Sequence, residues 1–118
     1  MFSRPLIYTT ALPMAILAAI RSSYEKLLKE AKTHQQRLRQ LTSYLCKKAH
    51  LKETRSPIQP IYISSVEKLR AVSKTLKEKG IDVRIILPPT VPRNKECLRV
   101  VLHSFNREDE IDQLVKTL

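Results

Sequence analysis

The sequence predicts an α+β fold in which a long N-terminal helical segment precedes a small, mostly antiparallel sheet with helices packed on one face. Three observations predict it. An apolar stripe with helical spacing covers residues 17–45, short β-rich runs alternate with amphipathic stretches after residue 57, and prolines separate several of these segments. A small sheet buries its apolar side chains only when helices cover one of its faces. The expected order after the long helix is strand, helix, strand, strand, helix.

The helical stripe consists of mostly apolar residues that recur at steps of three and four, which places them on one face of a helix. Its members are Leu17, Ile20, Tyr24, Leu27, Ala31, His34, Leu38, Leu41 and Leu45. Arg21-Ser22-Ser23 is a plausible break, although neither Gly nor Pro occurs there. The sequence is therefore compatible with one long helix or with two consecutive helices.

The segment before this stripe is uncharged from Pro5 to Ile20, a run of 16 residues that Pro13 interrupts. A membrane-spanning helix needs roughly 20 apolar residues, so we expect no membrane span. Arg4 followed by this run superficially resembles a targeting peptide, which is the alternative interpretation of the segment.

The first strand and helix of the second half follow a proline-containing connector at residues 50–60. The β-branched and aromatic residues of Pro60–Ile63 predict a strand. The segment Ser64-Ser65-Val66-Glu67 offers a serine cap with a nearby glutamate, which predicts the start of an amphipathic helix that continues up to Gly80, where a helix C-terminus favours a residue tolerant of positive φ.

Two further strands and a closing helix complete the prediction. Ile81–Leu87 and Cys97–His103 are rich in β-branched and apolar residues, and the prolines of residues 88–92 must lie outside the sheet because proline lacks an N–H group. The acidic residues after Asn106 complement the dipole at the start of a last helix.

The net charge of +11 would suit a nucleic-acid or acidic membrane partner, and residues 21–56 carry much of it. Those cations lie off the apolar stripe, which favours a solvated helix face over nucleic-acid binding because few aromatic residues are present for base stacking. With a single glycine, Gly80, the sequence excludes a glycine-rich phosphate-binding loop.

The cysteines and histidines indicate no metal site. Cys46 and His50 have helical i,i+4 spacing, but two ligands do not make a site. Cys46 and Cys97 also lack the paired spacing of a disulfide framework, so a reducing, cytoplasmic setting is expected.

Several segments together resemble one family in order and spacing. Arg4–Pro13 (RPLIYTTALP), Ser56–Ile63 (SPIQPIYI) and Leu87–Leu102 (LPPTVPRNKECLRVVL), with the closing helix at 107–118, are similar to the α-oxoamine synthases, especially the 8-amino-7-oxononanoate synthases. The resemblance implies the C-terminal portion of a fold-type I pyridoxal-phosphate transferase. It also implies two parts: residues 1–56 as the end of the large domain with linking helices, and residues 57–118 as a small C-terminal domain.

The activity implied by this resemblance is the decarboxylating condensation of L-alanine with a pimeloyl thioester in biotin synthesis, with pyridoxal phosphate as cofactor. In the family, the cofactor lysine precedes the RPLIYTTALP-like segment. Lys68, Lys77 and Lys95 lack its sequence context, so we expect no catalytic residue in this chain and no activity without an upstream large-domain polypeptide or a homodimer partner. A degenerate, non-catalytic interaction domain and a basic nucleic-acid-binding protein are the alternatives.

Four residues correspond by resemblance to family site residues. Thr9 and Thr10 match paired hydroxyl residues that reach the cofactor phosphate of the neighbouring subunit, or they simply occupy an extended segment. Thr90 matches a substrate-contacting threonine, or it belongs to a structural turn. Arg99 matches an arginine that holds the amino-acid carboxylate, or it points to solvent through simple strand alternation.

One residue departs from the family pattern. Many members have arginine immediately before PPTVP, where this chain has Leu87. Arg84 lies an odd number of residues earlier, so on a strand it faces the side opposite to residue 87. We therefore expect an altered acyl-donor specificity or a loss of activity.

Overall fold

The structure, a computed structural model, describes residues 10–118, which divide into two compact units, one ending at Thr33 and one comprising His34–Leu118. The first helix, α1, extends without interruption over Met14–Lys48. The stripe therefore belongs to one helix. The segment Arg21-Ser22-Ser23 lies inside this helix and does not break it, and the Arg21 Nε atom pairs with Oε1 of Glu25 at 3.0 Å, one helical turn further on. No helix of the described residues is long and apolar enough to cross a membrane.

The second unit contains the sheet and two further helices. Its elements are β1 (Ile58–Tyr62), α2 (Val66–Glu78), β2 (Arg84–Ile86), β3 (Cys97–Val101) and α3 (Glu108–Val115). The strand order in space is β1-β3-β2, and both pairings are antiparallel. This arrangement confirms the α+β fold class and the predicted element order. The predicted division at residues 56 and 57 stays a prediction.

Strand boundaries differ from the sequence prediction by a few residues. β1 begins at Ile58 and includes Pro60, because β1 lies at the edge of the sheet, where a missing N–H group interrupts no ladder. β2 is shorter than predicted and contains only Arg84–Ile86, while β3 ends at Val101 rather than at His103.

The ends of α2 follow from the residues that the sequence places there. Ser65 is the N-cap, and its Oγ accepts a hydrogen bond from the Lys68 N–H at 3.3 Å. Gly80 has φ of +79°, and the N–H of Ile81 donates to the Leu76 carbonyl at 2.9 Å, which closes the helix C-terminus.

One face of the sheet forms the core with all three helices. Alternate strand residues, including Ile61, Leu98 and Val100, are buried there. The helices contribute leucine and isoleucine side chains to the same cluster: Leu41 and Leu45 from α1, Leu69 and Leu76 from α2, and Ile111 and Leu114 from α3. The prediction that helices pack on one face of the sheet is therefore confirmed.

Candidate functional site

The opposite face of the sheet carries the strand residues that do not enter the core, and we call it the open sheet face. Its registered positions are Ile58, Pro60 and Tyr62 on β1, Arg84 and Ile86 on β2, and Cys97, Arg99 and Val101 on β3. Most of these side chains are exposed, although Cys97 is buried and Ile86 is half-buried. Burial raises the pKa of the Cys97 thiol, so this side chain is an uncharged, apolar part of the face.

Arg99 is exposed at the centre of the open sheet face. It lies between the buried residues Leu98 and Val100 on β3, so strand alternation directs its side chain away from the core. In register it faces Pro60 on β1 and Arg84 on β2. Within the described residues 10–118, its guanidinium makes neither an ion pair nor a hydrogen bond. The side chain is therefore available for an external anion.

Thr90 lies in the loop of the β2–β3 hairpin that also carries Arg99. The loop begins with a turn in which the Thr90 N–H donates to the Leu87 carbonyl at 3.0 Å, and the peptide bond between Pro88 and Pro89 is cis. Thr90 is exposed, and its hydroxyl has no hydrogen-bond partner among the residues that the structure describes. The structure thus places both predicted substrate residues in one hairpin.

The two threonines predicted to contact the cofactor belong to the start of the chain. Thr9 lies outside the described residues. Thr10 is exposed and precedes α1, which begins at Met14. Its hydroxyl can donate a hydrogen bond to a phosphate oxygen, so its exposure is compatible with the proposed contact.

No described residue provides the environment of a cofactor lysine. Such a lysine is activated by desolvation or by a cationic neighbour, which lowers its pKa. Every lysine from Lys26 to Lys116 is exposed. For Lys48 the pKa is instead raised, mainly by its hydrogen bond to Asp112. The described part of the chain fits a contact to the phosphate through Thr10, and it does not fit covalent attachment of pyridoxal phosphate. It also contains no cluster of three side chains suited to a metal ion.

The sequence prediction missed one feature of this site, the position of Arg84. The sequence predicts only that Arg84 and residue 87 face opposite sides of a strand. The register shows in addition that Arg84 lies directly opposite Arg99. Residues 87–96 connect the two strands, and a loop of this length does not fix the register from sequence alone. Another missed contact is that of Lys95, whose Nζ lies 5.9 Å from the centre of the Tyr62 ring.

Comparison with known proteins assigns the whole chain to a family. A family model for aminotransferase class I and II matches residues 1–118, the whole chain. The 8-amino-7-oxononanoate synthase of Hahella chejuensis is 35% identical over 99% of this chain and 31% of its own length. The 8-amino-7-oxononanoate synthase of Emericella nidulans is 38% identical over 99% of this chain and 31% of its own length.

Solved structures agree with this assignment. The 8-amino-7-oxononanoate synthase of Francisella tularensis matches with a TM-score of 0.78 and 29% identity, over 98% of this chain and 35% of that chain. A serine palmitoyltransferase of Sphingomonas wittichii matches with a TM-score of 0.76 at 22% identity, over 97% of this chain and 30% of that chain, which shows the shared fold.

The chain therefore belongs to the aminotransferase class I and II family, and the family and these relatives depend on pyridoxal phosphate. Its resemblance to the 8-amino-7-oxononanoate synthases is confirmed. The chain spans about a third of the length of the relatives that it matches.

Proposed function

We propose that this chain forms the C-terminal, substrate-recognising part of a pyridoxal-phosphate-dependent 8-amino-7-oxononanoate synthase. In this role Arg99 binds the carboxylate of L-alanine during its decarboxylating condensation with a pimeloyl thioester. The observation that carries the proposal is the exposed guanidinium of Arg99 at the centre of the open sheet face, which has no ion-pair partner among residues 10–118. A planar guanidinium donates two parallel hydrogen bonds to a carboxylate, which fixes the orientation of the bound amino acid.

Thr90 has a supporting role in this proposal. Its exposed hydroxyl lies in a loop with Pro88, Pro89 and Pro92, whose fixed φ angles reduce the entropy lost when the loop is ordered by a substrate. Thr9 and Thr10 donate hydrogen bonds to the cofactor phosphate of a neighbouring subunit, so the proposal includes a homodimer. Hydroxyl groups suit this task because they donate to an anion without adding charge.

The cofactor lysine comes, in this proposal, from residues beyond these 118. When bound, pyridoxal phosphate supplies an electron sink for the carbanion formed on the amino acid. This chain contributes binding and orientation, and its exposed lysines do not hold the cofactor. We further propose a cytoplasmic location, because Cys46 and Cys97 are free thiols.

A chimaeric enzyme tests this proposal. The matching third of the Hahella chejuensis synthase is replaced by this chain, and the product 8-amino-7-oxononanoate is measured at varied L-alanine. We expect turnover by the chimaera, and for Arg99→Gln a fall in kcat/KM for L-alanine of about tenfold to a hundredfold, the loss typical of a charge-assisted hydrogen bond. Arg70→Gln on α2 is the matched control, since it removes an exposed arginine from a helix on the covered side of the sheet.

Two results would contradict the proposal. One is a correctly folded chimaera that binds pyridoxal phosphate and makes no product. The other is equal kcat/KM for L-alanine in the Arg99→Gln and Arg70→Gln chimaeras, which would remove Arg99 from the substrate site.

A second candidate function is a non-catalytic interaction domain, favoured by the exposed apolar residues near the start of α1, such as Met14, Tyr24 and Leu28. In that case, the Arg99→Gln substitution would leave association with a partner unchanged, whereas polar substitutions in α1 would abolish it. Binding of RNA, DNA or anionic vesicles at low ionic strength would instead favour the nucleic-acid or membrane-surface alternative.

A further inference from the structure

A second arginine shares the open sheet face with Arg99, and the proposed function gives it no role. Arg84 pairs directly with Arg99 in the antiparallel register of β2 and β3, so both residues lie on the same face. Directly opposed residues have Cβ atoms about 4.5–5.5 Å apart. The fold therefore places the two arginine side chains next to each other at their Cβ atoms.

Nothing in the described part of the chain neutralises this pair. Like charges that are directly opposed destabilise a sheet. In residues 10–118 the side chains of Arg84 and Arg99 make neither an ion pair nor a hydrogen bond, and the registered positions of the open sheet face include neither Asp nor Glu. Two neighbouring arginine side chains without an acidic partner among residues 10–118 can bind two carboxylates, one with each guanidinium.

Apolar surface adjoins the pair. Ile86 and Cys97 form the next registered pair on the same face, and Tyr62 lies across from Cys97 on β1. Ile86 on β2 is half-buried, and Cys97 on β3 is buried. A methylene chain can lie along it while a terminal carboxylate reaches the arginines, so the face suits an acyl chain with a charged end.

We infer that Arg84 binds the free carboxylate of a dicarboxylic acyl donor while Arg99 binds the carboxylate of the amino acid. This inference rests on the proposed function, because the two substrates of that reaction bring one free carboxylate each. Arg84 is then a specificity-determining residue that separates a pimeloyl thioester from an uncharged acyl thioester of the same length.

Binding of pimelate to the 118-residue chain tests the two-carboxylate site without any catalysis. Pimelate and its monocarboxylate counterpart heptanoate are titrated by NMR at low ionic strength, where screening is weakest. We expect tighter binding of pimelate, and a loss of about fivefold to tenfold of this preference in Arg84→Gln and in Arg99→Gln, because each variant removes one charge-assisted contact. Arg70→Gln should keep the preference. The thermal midpoint of Arg84→Gln should not fall, since the substitution relieves a like-charge pair.

Kinetics of the chimaera then test the assignment to the acyl donor. Arg84→Gln should lower kcat/KM for a pimeloyl thioester about tenfold, leave that for a heptanoyl thioester unchanged, and leave the KM for L-alanine unchanged. Equal losses for both thioesters, or no loss, would overturn the inference, as would an unchanged pimelate preference in the isolated Arg84→Gln chain.

The same variants distinguish a failure of the inference from a failure of the proposed function. If Arg84→Gln has no effect while Arg99→Gln lowers kcat/KM for L-alanine, the inference fails and the proposed function stands. If the chimaera is inactive although pimelate binding depends on both arginines, the proposed function fails and the two-carboxylate site stands.

Discussion

The two ends of α1 share one residue pattern and differ in their surroundings. Leu45, near the C-terminal end, is completely buried with Leu41 in the core of the second unit. Leu17, Tyr24 and Leu27 belong to the same stripe and are exposed. Helical spacing of apolar residues therefore predicts which side chains share a face, but a neighbouring element decides whether that face is buried. The N-terminal part of α1 therefore carries exposed apolar side chains.

The largest expected effect is a difference in the free energy of unfolding between substitutions at the two ends of α1. Leu45→Ala should lower the free energy of unfolding by about 2–5 kcal/mol, because it leaves a cavity in the core. Leu28→Ala, at a side chain that is 83% exposed, should change it by less than about 0.5 kcal/mol. Urea unfolding followed by circular dichroism measures both. Similar losses for the two variants would show that the start of α1 is packed as tightly as its end.

Self-association of the exposed end is the next expected effect. An apolar face of this kind promotes association, so sedimentation equilibrium of the chain should give an apparent mass that rises with concentration. The double substitution of Leu17 and Leu27 by Glu should reduce the apparent mass to that of a monomer. Lys32→Glu is the control for the change in charge, and it should associate as the parent chain does. A parent chain that is monomeric at every concentration would remove this surface as an interface.

A smaller effect concerns a helix start inside the second unit. Ser65→Ala should lower the free energy of unfolding by about 1 kcal/mol, because the Lys68 N–H loses its side-chain acceptor. Ser64→Ala is the matched control, since Ser64 is exposed and does not cap α2. Chemical unfolding of the two variants in parallel gives the comparison. An equal cost for both would exclude capping as the cause.

The smallest effect concerns the contact between α1 and α3 in the second unit. The pKa of Asp112 is lowered by hydrogen bonds from the Tyr44 hydroxyl at 2.9 Å and from Lys48, 3.2 Å away. A carboxyl whose pKa is lower in the folded state stabilises the fold above its unfolded pKa, and this contribution is lost as the pH falls through the folded value. In Asp112→Asn the thermal midpoint should therefore fall less steeply than in the parent chain as the pH is lowered. Thermal midpoints measured from neutral to acidic pH check this, and parallel curves for both proteins would contradict it.

The sequence predicts those parts of the fold that depend on residues close together in the chain better than those that depend on contacts between distant segments. Ser65 and Gly80 determine the ends of α2 through local chemistry: the sequence predicts a serine cap at Ser64-Ser65 and a C-terminus at Gly80, and the structure selects Ser65 as the cap. The sequence predicts that β1 begins at Pro60, because the sequence does not show that this strand lies at the sheet edge, where a proline can lie inside a strand. Strand order depends on contacts between segments that are distant in the chain, so local residue patterns do not predict it.

The candidate site shows the same limit. The exposure of Arg99 follows from alternation within β3, and it was one of two interpretations of the sequence. The neighbouring position of Arg84 depends on the register between two strands, which the intervening loop does not specify. The resemblance predicts Thr90 and Arg99 as substrate residues, and the structure adds Arg84, which lies opposite Arg99.

The central claim, that this chain recognises substrate but does not hold the cofactor covalently, has a direct test. The 118-residue chain and the chimaera are each incubated with pyridoxal phosphate, reduced with borohydride, and mapped by mass spectrometry. We predict stoichiometric labelling of one lysine in the Hahella chejuensis portion of the chimaera, and in the chain alone only low, scattered labelling of its exposed lysines. Stoichiometric labelling of a single lysine in the chain alone would contradict the claim.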